Sequence, residues 1–422
     1  MARHANRRGG KGSRRRDSEL ARRSGRDWAV RGGLALGLVV LGFIGTTSSL
    51  ARVVAKVDPA RAHAMAPGNG VILADYAQNA FSRAPTGDPE SLPANLARRA
   101  LMADPTAAEA LTVLGFQAEL RGDAAQTDRI FSYSIALTRR ELRPRLWAIE
   151  EAVTRGDIAG ALRNYDIALR TSSDAAGILF PTLSAAMAEP RIRTALLSIL
   201  ATDPVWKDGF IAYAATSGVE PEGAIAIFRE GRRIGLEPDE NLRASLVNTL
   251  MAQNKPDEAW AYYRTFHPSA RRDRSRDPGF ALEAQTRSVF DWRAGTDTRI
   301  SAAILREGKA GLLDFSVPPS VGGQLVSQTQ LLPAGSYLID GRSRGIDQPD
   351  RSRPYWTLTC QNGRELGRVE VPNSDRNGGR FTGRFVVPQG CEAPILALMA
   401  RSTDDIMGVS GQIETARLMP EE

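Results

Sequence analysis

A chain of 422 residues, 42% hydrophobic and 24% charged, is long enough for two or three domains that each bury a core. Its net charge of +7 describes a tail rather than a body: residues 1–31 hold ten Arg and one Lys against Asp17, Glu19 and Asp27, a net +8, which leaves −1 for the rest. A near-neutral body excludes a nucleic-acid-binding reading of the folded part, which needs clustered positive charge.

The basic tail, residues 1–31, is followed by "GGLALGLVVLGFIGTTSSLA", residues 32–51, without a single charge. As a helix it extends about 30 Å, the thickness of a bilayer's hydrocarbon core. The positive-inside rule keeps the Arg-rich side cytoplasmic and sends residues 52–422 across the membrane. With an Arg- and Ala-rich composition, this predicts a bacterial inner-membrane protein whose residues 52–422 are periplasmic. The expectation is a retained anchor; the alternative is a cleaved signal peptide ending at Ser49-Leu50-Ala51. Gly33 and Gly37 form one GxxxG, which could pack two anchors together. The tail sets topology, and it could also meet anionic headgroups.

After a linker, residues 52–72, a repeat begins. "GDAAQTDRIFSYSIAL" starts at Gly122 and "GDIAGALRNYDIAL" at Gly156, 34 residues later. The pattern small-x3-aromatic-x2-small falls at Thr127/Phe131/Ser134, Ala161/Tyr165/Ala168, Ala195/Ile199/Thr202, Ala224/Phe228/Gly231 and Ala259/Tyr263/Phe266, spaced 34, 34, 29 and 35. A small residue lets two helices approach, and an aromatic one turn later fills the gap to the next pair. The spacing predicts stacked helical hairpins.

On these residues the chain resembles the tetratricopeptide repeat family. The best-matching stretch is "AEALTVLGFQAELRGDAAQTDRIFSYSIAL", with Leu111, Leu114, Gly115 and Ala118 on its first helix; "NKPDEAWAYYRTF", residues 254–266, is a second. The sequence departs from the family where Ile149 replaces a small residue and Ile199 the aromatic, which leaves the number of true repeats open. The resemblance covers residues 73–266. It implies an α-solenoid whose first helices line a partner-binding groove, with Phe116, Glu119, Arg143, Glu150, Tyr213, Asn241 and Asn248 at the groove positions.

Residues 267–277 are polar, charged and Pro-flanked, and read as a linker. Beyond them the period becomes two: "YWTLTC", "GRVEV", "GRFTGRFVV" and "APILALMA" are short strands between Gly, Pro and Asn turns. Residues 278–422 are therefore an all-β module. The landmarks "SVFDWRAG", "QTQLLPAGSYLI", "YWTLTCQNG", "RFVVPQGCEAPILAL" and "GQIETARLM" resemble, in their order, jelly-roll sandwiches related to galactose-binding and carbohydrate-binding modules. The expected architecture is thus multidomain α + β: a transmembrane helix, an α-solenoid, then a sandwich.

Cys360 and Cys391 are the only cysteines. In an oxidising compartment they suit a disulfide, whose closed loop of about 30 residues stabilises by roughly 3 kcal/mol or a little more. Two buried reduced thiols are the alternative. Strand alternation puts Trp356, Leu358 and Cys360 on one face, the core, and Tyr355, Thr357 and Thr359 on the other. Tyr355 and Phe381 remain as candidate sugar-stacking platforms. The segment "GRSRGIDQPDRSR", residues 341–353, offers Arg342, Arg344, Arg351 and Arg353 to an acidic glycan or a phosphate.

No catalytic constellation is visible. His4, His63 and His267 fall in the tail and linkers, which supplies neither a metal cluster nor a Ser-His arrangement, and no phosphate loop or GxSxG is present. "NSDRNGG" imitates a calcium loop with Asn373, Asp375, Asn377 and Gly378, but its twelfth position is Arg384, so it reads as a hairpin turn. Asp404 and Asp405 are a turn rather than a carboxylate pair. The expectation is a protein without enzymatic activity, metal or cofactor: a scaffold that docks proteins through its hairpins, in envelope polysaccharide synthesis or export. The alternative is a protein-docking adaptor whose sandwich only caps the last hairpin. A row of exposed aromatics favours glycan; a broad apolar contact with the last hairpin favours the cap.

Overall fold

The computed structural model describes residues 25–282, 287–307 and 310–421; most of the basic tail, His4 included, lies outside them. Among the described residues fourteen α-helices precede ten β-strands, and the chain divides into two compact units between Ser173 and Asp174.

The first unit contains α1 (Gly25–Ala55), α2 (Pro59–Met65), α3 (Gly70–Arg83), α4 (Leu92–Ala103), α5 (Ala108–Leu120), α6 (Ala124–Leu137), α7 (Leu142–Thr154) and α8 (Ile158–Thr171). One helix, Trp28–Ala55, is long and apolar enough to cross a membrane, and Leu36, Leu38, Val39 and Phe43 all lie exposed along it. It runs on past the apolar stretch. Its last turn buries Ala51 and Ala55 against Ala62 and Ile72, so the segment read as a linker, 52–72, is the end of α1, then α2 and the start of α3.

Helices α3/α4, α5/α6 and α7/α8 pack as hairpins. Their turns are local chemistry. Gly122 and Gly156 take left-handed backbone, φ 75° and 70°, which costs glycine little. The Asp that follows each caps the next helix, Asp123 accepting from the Gln126 N–H at 3.0 Å and Asp157 from that of Gly160 at 2.8 Å. Phe131 is the wedge between hairpins. It is fully buried, with Phe116 and Trp147 each 5.2 Å away, and a Cβ on Gly115 would fall 2.2 Å from its ring.

The second unit continues with α9 (Ala175–Ala185), α10 (Pro190–Leu200), α11 (Lys207–Thr216), α12 (Pro221–Gly231), α13 (Glu240–Ala252) and α14 (Pro256–Tyr263). Four copies of the predicted pattern place their first small residue and aromatic in the core, but the third does not. Leu196 and Leu200 are buried there, whereas Ala195 and Ile199 are half-exposed and Thr202 lies past the helix end. Pro181 inside α9 and Pro190 at the start of α10 set these helices where the 34-residue spacing does not.

Two antiparallel sheets follow. Strands β1 (Arg293–Ala294), β4 (Gly323–Thr329), β9 (Ile395–Ala400), β6 (Tyr355–Thr359) and β7 (Glu365–Glu370) form one sheet in that order. Strands β2 (Ser301–Glu307), β3 (Ala310–Val317), β10 (Val409–Pro420), β5 (Gly335–Arg344) and β8 (Arg380–Val387) form the other. Because the chain switches sheet between β3 and β4, β4 and β5, and β5 and β6, the sandwich is of the jelly-roll kind. Trp292, Trp356, Phe315, Phe385 and Leu325 fill its core. Trp356, Leu358 and Cys360 face inward as strand parity requires, and Cys360 is bonded to Cys391 with Cα atoms 5.5 Å apart. Residues 373–379 turn between strands of different sheets, β7 and β8, and so do not form a hairpin.

Two stability measurements follow from this packing. Gly115→Ala overfills the space held by Phe131 and is expected to destabilise the chain by about 1–3 kcal/mol in urea unfolding. Replacing both cysteines by Ser is expected to remove roughly 3 kcal/mol, and the loss should match that seen on adding reductant to the parent chain.

Candidate functional site

The groove residues of the first unit separate into two kinds. Phe116 is a packing residue, stacked 6.4 Å from Phe81 and edge-on to Phe131, while Glu119, Arg143 and Glu150 stand in solvent. Three carboxylates that the spacing argument missed accompany them. Asp75 on α3, Glu109 on α5 and Glu141 at the start of α7 lie close enough to interact. Burial, reinforced by Glu109, pushes Asp75 up to about 6 and also raises Glu141, whose Oε1 accepts from the Thr112 hydroxyl at 3.3 Å. Successive first helices thus carry an acidic line whose members repel one another.

The second-unit residues are largely occupied by the fold. Tyr213 is half-buried against Phe180, 5.8 Å between rings, and Asn241 is exposed near the start of α13. Asn248 accepts a hydrogen bond from the Val289 N–H at 2.8 Å, which ties α13 to the sandwich.

That tie is one of several. Residues 267–277, read as a linker, bury Ser275 and Arg276. Arg276 donates from Nε to the Phe290 carbonyl at 2.6 Å and from Nη2 to that of Thr329, and its guanidinium lies 5.3 Å over both the Trp260 and Phe290 rings. Burial drives it down to about 10, against the upward pull of Tyr263 and Asp291. The Tyr263 hydroxyl donates to Asp291 Oδ1 at 2.6 Å, and Ser288 donates from its backbone and hydroxyl to Oδ2 at 2.9 and 2.7 Å. Burial first, then the Asp291 charge, raises Tyr263 far above the usual phenol range. The last hairpin and the sandwich therefore share one desolvated, aromatic contact.

The stacking platforms do not survive. Phe381 is 3% exposed and stacks on Trp356 in the core at 6.3 Å, because β8 turns Phe381, Phe385 and Val387 inward and Arg380, Thr382 and Arg384 outward. Tyr355 does reach the outside of its sheet, but the guanidiniums of Arg368 and Arg401 lie over its ring at 4.7 and 4.8 Å. Every other aromatic of the described sandwich is buried.

The four arginines are not one loop. Arg351 is exposed, and Arg353 is 9% exposed and paired with Asp350. Arg342 and Arg344 belong to β5 and point outward, since Gly341 and Ser343 alternate inward. Register then supplies neighbours that no local pattern reveals. Arg380 of β8 stands directly opposite Arg342, and Arg417 of β10 stands opposite Asp340 one outward position along. Glu414 serves both Arg342, at 3.4 Å, and Arg344, at 3.8 Å, while Gln412 accepts from Arg344 at 2.8 Å. Arg384 further along is paired with Glu421. The result is an exposed face with Arg342, Arg344, Arg380 and Arg417 around two carboxylates. Like charges directly opposed on a sheet cost stability, and planar guanidiniums in this spacing suit carboxylate or phosphate groups.

No family model matches the chain, and neither does any curated protein. Solved structures do resemble it in part. The enzymatically active domain of tailspike protein 4 from bacteriophage CBA120 has 12% identity and a TM-score of 0.25 over 35% of this chain, which spans only 22% of the tailspike. The CBM22-1 xylan-binding domain from Paenibacillus barcinonensis Xyn10C has 13% identity and a TM-score of 0.24, covering 34% of this chain and 90% of that one. TmCBM61, solved in complex with beta-1,4-galactotriose, has 16% identity and a TM-score of 0.26, covering 36% of this chain and 100% of that one.

The acidic line has a pH signature. A carboxyl whose folded value is raised binds its proton more tightly in the native state, so its contribution to stability falls as pH rises from about 4 to about 6. Asp75→Asn is expected to flatten that fall and to gain about 1 kcal/mol at pH 7, less than the full shift implies because the carboxylate is partly in water. Thermal unfolding between pH 4 and pH 7 measures both.

Proposed function

We propose that the chain is a membrane-anchored, non-enzymatic scaffold that docks protein partners through tetratricopeptide-like hairpins and grips an anionic polysaccharide on the arginine face of its sandwich. The observation that carries the polymer-binding part is Arg342 standing opposite Arg380, flanked by Arg344 and Arg417. The core gains nothing from this pairing; Glu414 offsets part of the repulsion, and a polyanion lying across the face offsets the rest. Because the aromatics of the sandwich are buried or covered, recognition is by charge rather than by stacking on neutral sugar. The acidic line of Asp75, Glu109 and Glu141 supports docking of a basic partner segment on the first helices.

Topology supports an envelope setting. A basic tail, one apolar helix and a disulfide on the far side of it are consistent with a cytoplasmic N-terminus and periplasmic residues 52–422 in a bacterial inner membrane. Burial of Ala51 and Ala55 against α2 and α3 favours a retained anchor, since cleavage at Ala51 would remove part of a packed core. Synthesis or export of envelope polysaccharide is the role that joins an anchor, a docking array and a polyanion grip.

A second reading has its own support. The shared contact of Arg276, Tyr263 and Asp291 is what a structural cap needs, so a pure protein-docking adaptor accounts for the sandwich without any polymer.

Binding of the full chain in nanodiscs to uronic-acid polymers and to neutral glucans, at low and high salt, separates the two. Saturable binding to the uronan, weakened at least tenfold by Arg342→Ala with Arg380→Ala, supports the polymer grip; salt should weaken it similarly. The same two substitutions are expected to change stability by no more than about 1 kcal/mol, because relief of the opposed like-charge pair offsets the loss of Arg342's contacts with Glu414 and the Gly378 carbonyl. Failure of every polyanion to bind the folded chain leaves the adaptor.

A further inference from the structure

The anchor helix does not end where the hydrocarbon ends. Its uncharged run stops at Ala51, yet Ala51 is already 0% exposed, packed with Ala55, Ala62 and Ile72 and flanked by Val54, Met65 and Ala66. From Ala51 to Ala55 a helix rises only about 6 Å. The headgroup layer on each side of a bilayer is about 5–8 Å thick. With the uncharged run filling the hydrocarbon, the last turn of α1, and the α2 and α3 residues packed on it, would fall at the level of the headgroups.

The other side of that turn is made for such a place. Arg52, Val53, Lys56 and Val57 are all exposed, Val53 by 67% and Val57 by 87%. On α2, Ala60, Arg61 and Ala64 are exposed as well, and Arg99 of α4 lies near His63, which burial first and then that charge push down. Asp58 is the one acidic group in this stretch, and it caps α2 by accepting from the Arg61 N–H at 3.0 Å. His63 itself stacks on Tyr76. Apolar side chains interleaved with Arg and Lys stems are the chemistry of a membrane interface, where the methylenes sit with acyl chains and the cations meet phosphodiesters.

We propose that the start of the first unit rests on the bilayer, with the last turn of α1 and the outer side of α2 embedded in the trans-side phospholipid headgroup layer. This rests on the retained-anchor reading above. Its consequence is mechanical: the first helical unit is held at fixed height and tilt by a helix that passes from lipid into its core without a flexible joint.

The native cysteines are bridged to each other, so a third cysteine is the single reactive thiol. Val57→Cys, Ala64→Cys and, as control, Arg163→Cys at an exposed position of α8 carry an environment-sensitive fluorophore in the full chain, reconstituted in phosphatidylethanolamine–phosphatidylglycerol nanodiscs. Nitroxide-headgroup lipid is expected to remove more than half the emission at 57 and 64 and little at 163, while iodide from solution does the reverse. If intact mass shows the anchor present and the probes at 57 and 64 are quenched by iodide as at 163, the proposal is overturned and the anchor reading stands. A chain cleaved near Ala51 in cells overturns both.

Discussion

Arg276 is a cation stripped of water, and its position decides how the second unit is built. A guanidinium loses several kcal/mol of solvation on burial unless its environment replaces the water. Here two backbone carbonyls and two aromatic faces replace it, drawn from three stretches: Phe290, which gives both a carbonyl and a ring, and Thr329 from the sandwich, and Trp260 from α14. The charge is tolerated only when all three stretches are assembled. Asp291 completes the arrangement by accepting hydrogen bonds from the Tyr263 and Ser288 hydroxyls, so that α14 and the first turn of the sandwich share one polar network inside an aromatic shell. Such a network specifies register more than it adds stability, since an apolar contact of equal size would cost less to desolvate.

This constraint reconciles the two roles assigned to the sandwich. A terminal hairpin needs a cover for its open side, and a ligand-binding face needs a rigid support. The covered surface lies around Phe290 and Val289, whereas the arginines project from β5, β8 and β10 on the other sheet. The module is thus free to do both, because the residues used for one are absent from the other. Arg342 and Arg380 stand opposed in solvent, Arg342 held by Glu414 and the Gly378 carbonyl, which distinguishes them from Arg368 and Arg401, whose guanidiniums cover Tyr355.

What the sequence disclosed was whatever local chemistry determines. The Gly-Asp turns at Gly122 and Gly156 fix helix ends through a left-handed residue and an N-cap, both readable from two letters. Trp356 and the cysteines follow from the parity of one strand. Phe381 was legible by the same rule, since Phe385 and Val387 share its face, but a lone aromatic near arginines reads as a platform when parity is not counted from the strand's other end. Residues 341–353 read as one loop because Gly, Ser and Arg are poor strand formers; tertiary pairing carries β5 to Arg344 regardless, with Ser343 buried and bonded to the Gly379 carbonyl.

The remainder was illegible because it depends on distant neighbours. Nothing near Arg380 says that Arg342 will face it, as the pairing is a matter of which strands adjoin and in what register. Nothing in "ARRDRSRDPG" distinguishes Arg276 from the arginines beside it; only the arrival of Trp260 and Phe290 makes it the buried one, while Arg271 and Arg274 turn outward to share Asp273. The same holds at the end of the apolar helix. Residues 52–57 read as the start of a linker because charges end the apolar run, yet alternation within one helical turn puts Ala51 and Ala55 on a packed side and Arg52, Val53 and Lys56 on a free one. A helix can end as a membrane span and continue as a core element, because hydrophobicity marks the solvent it crosses and small residues mark the helix it touches.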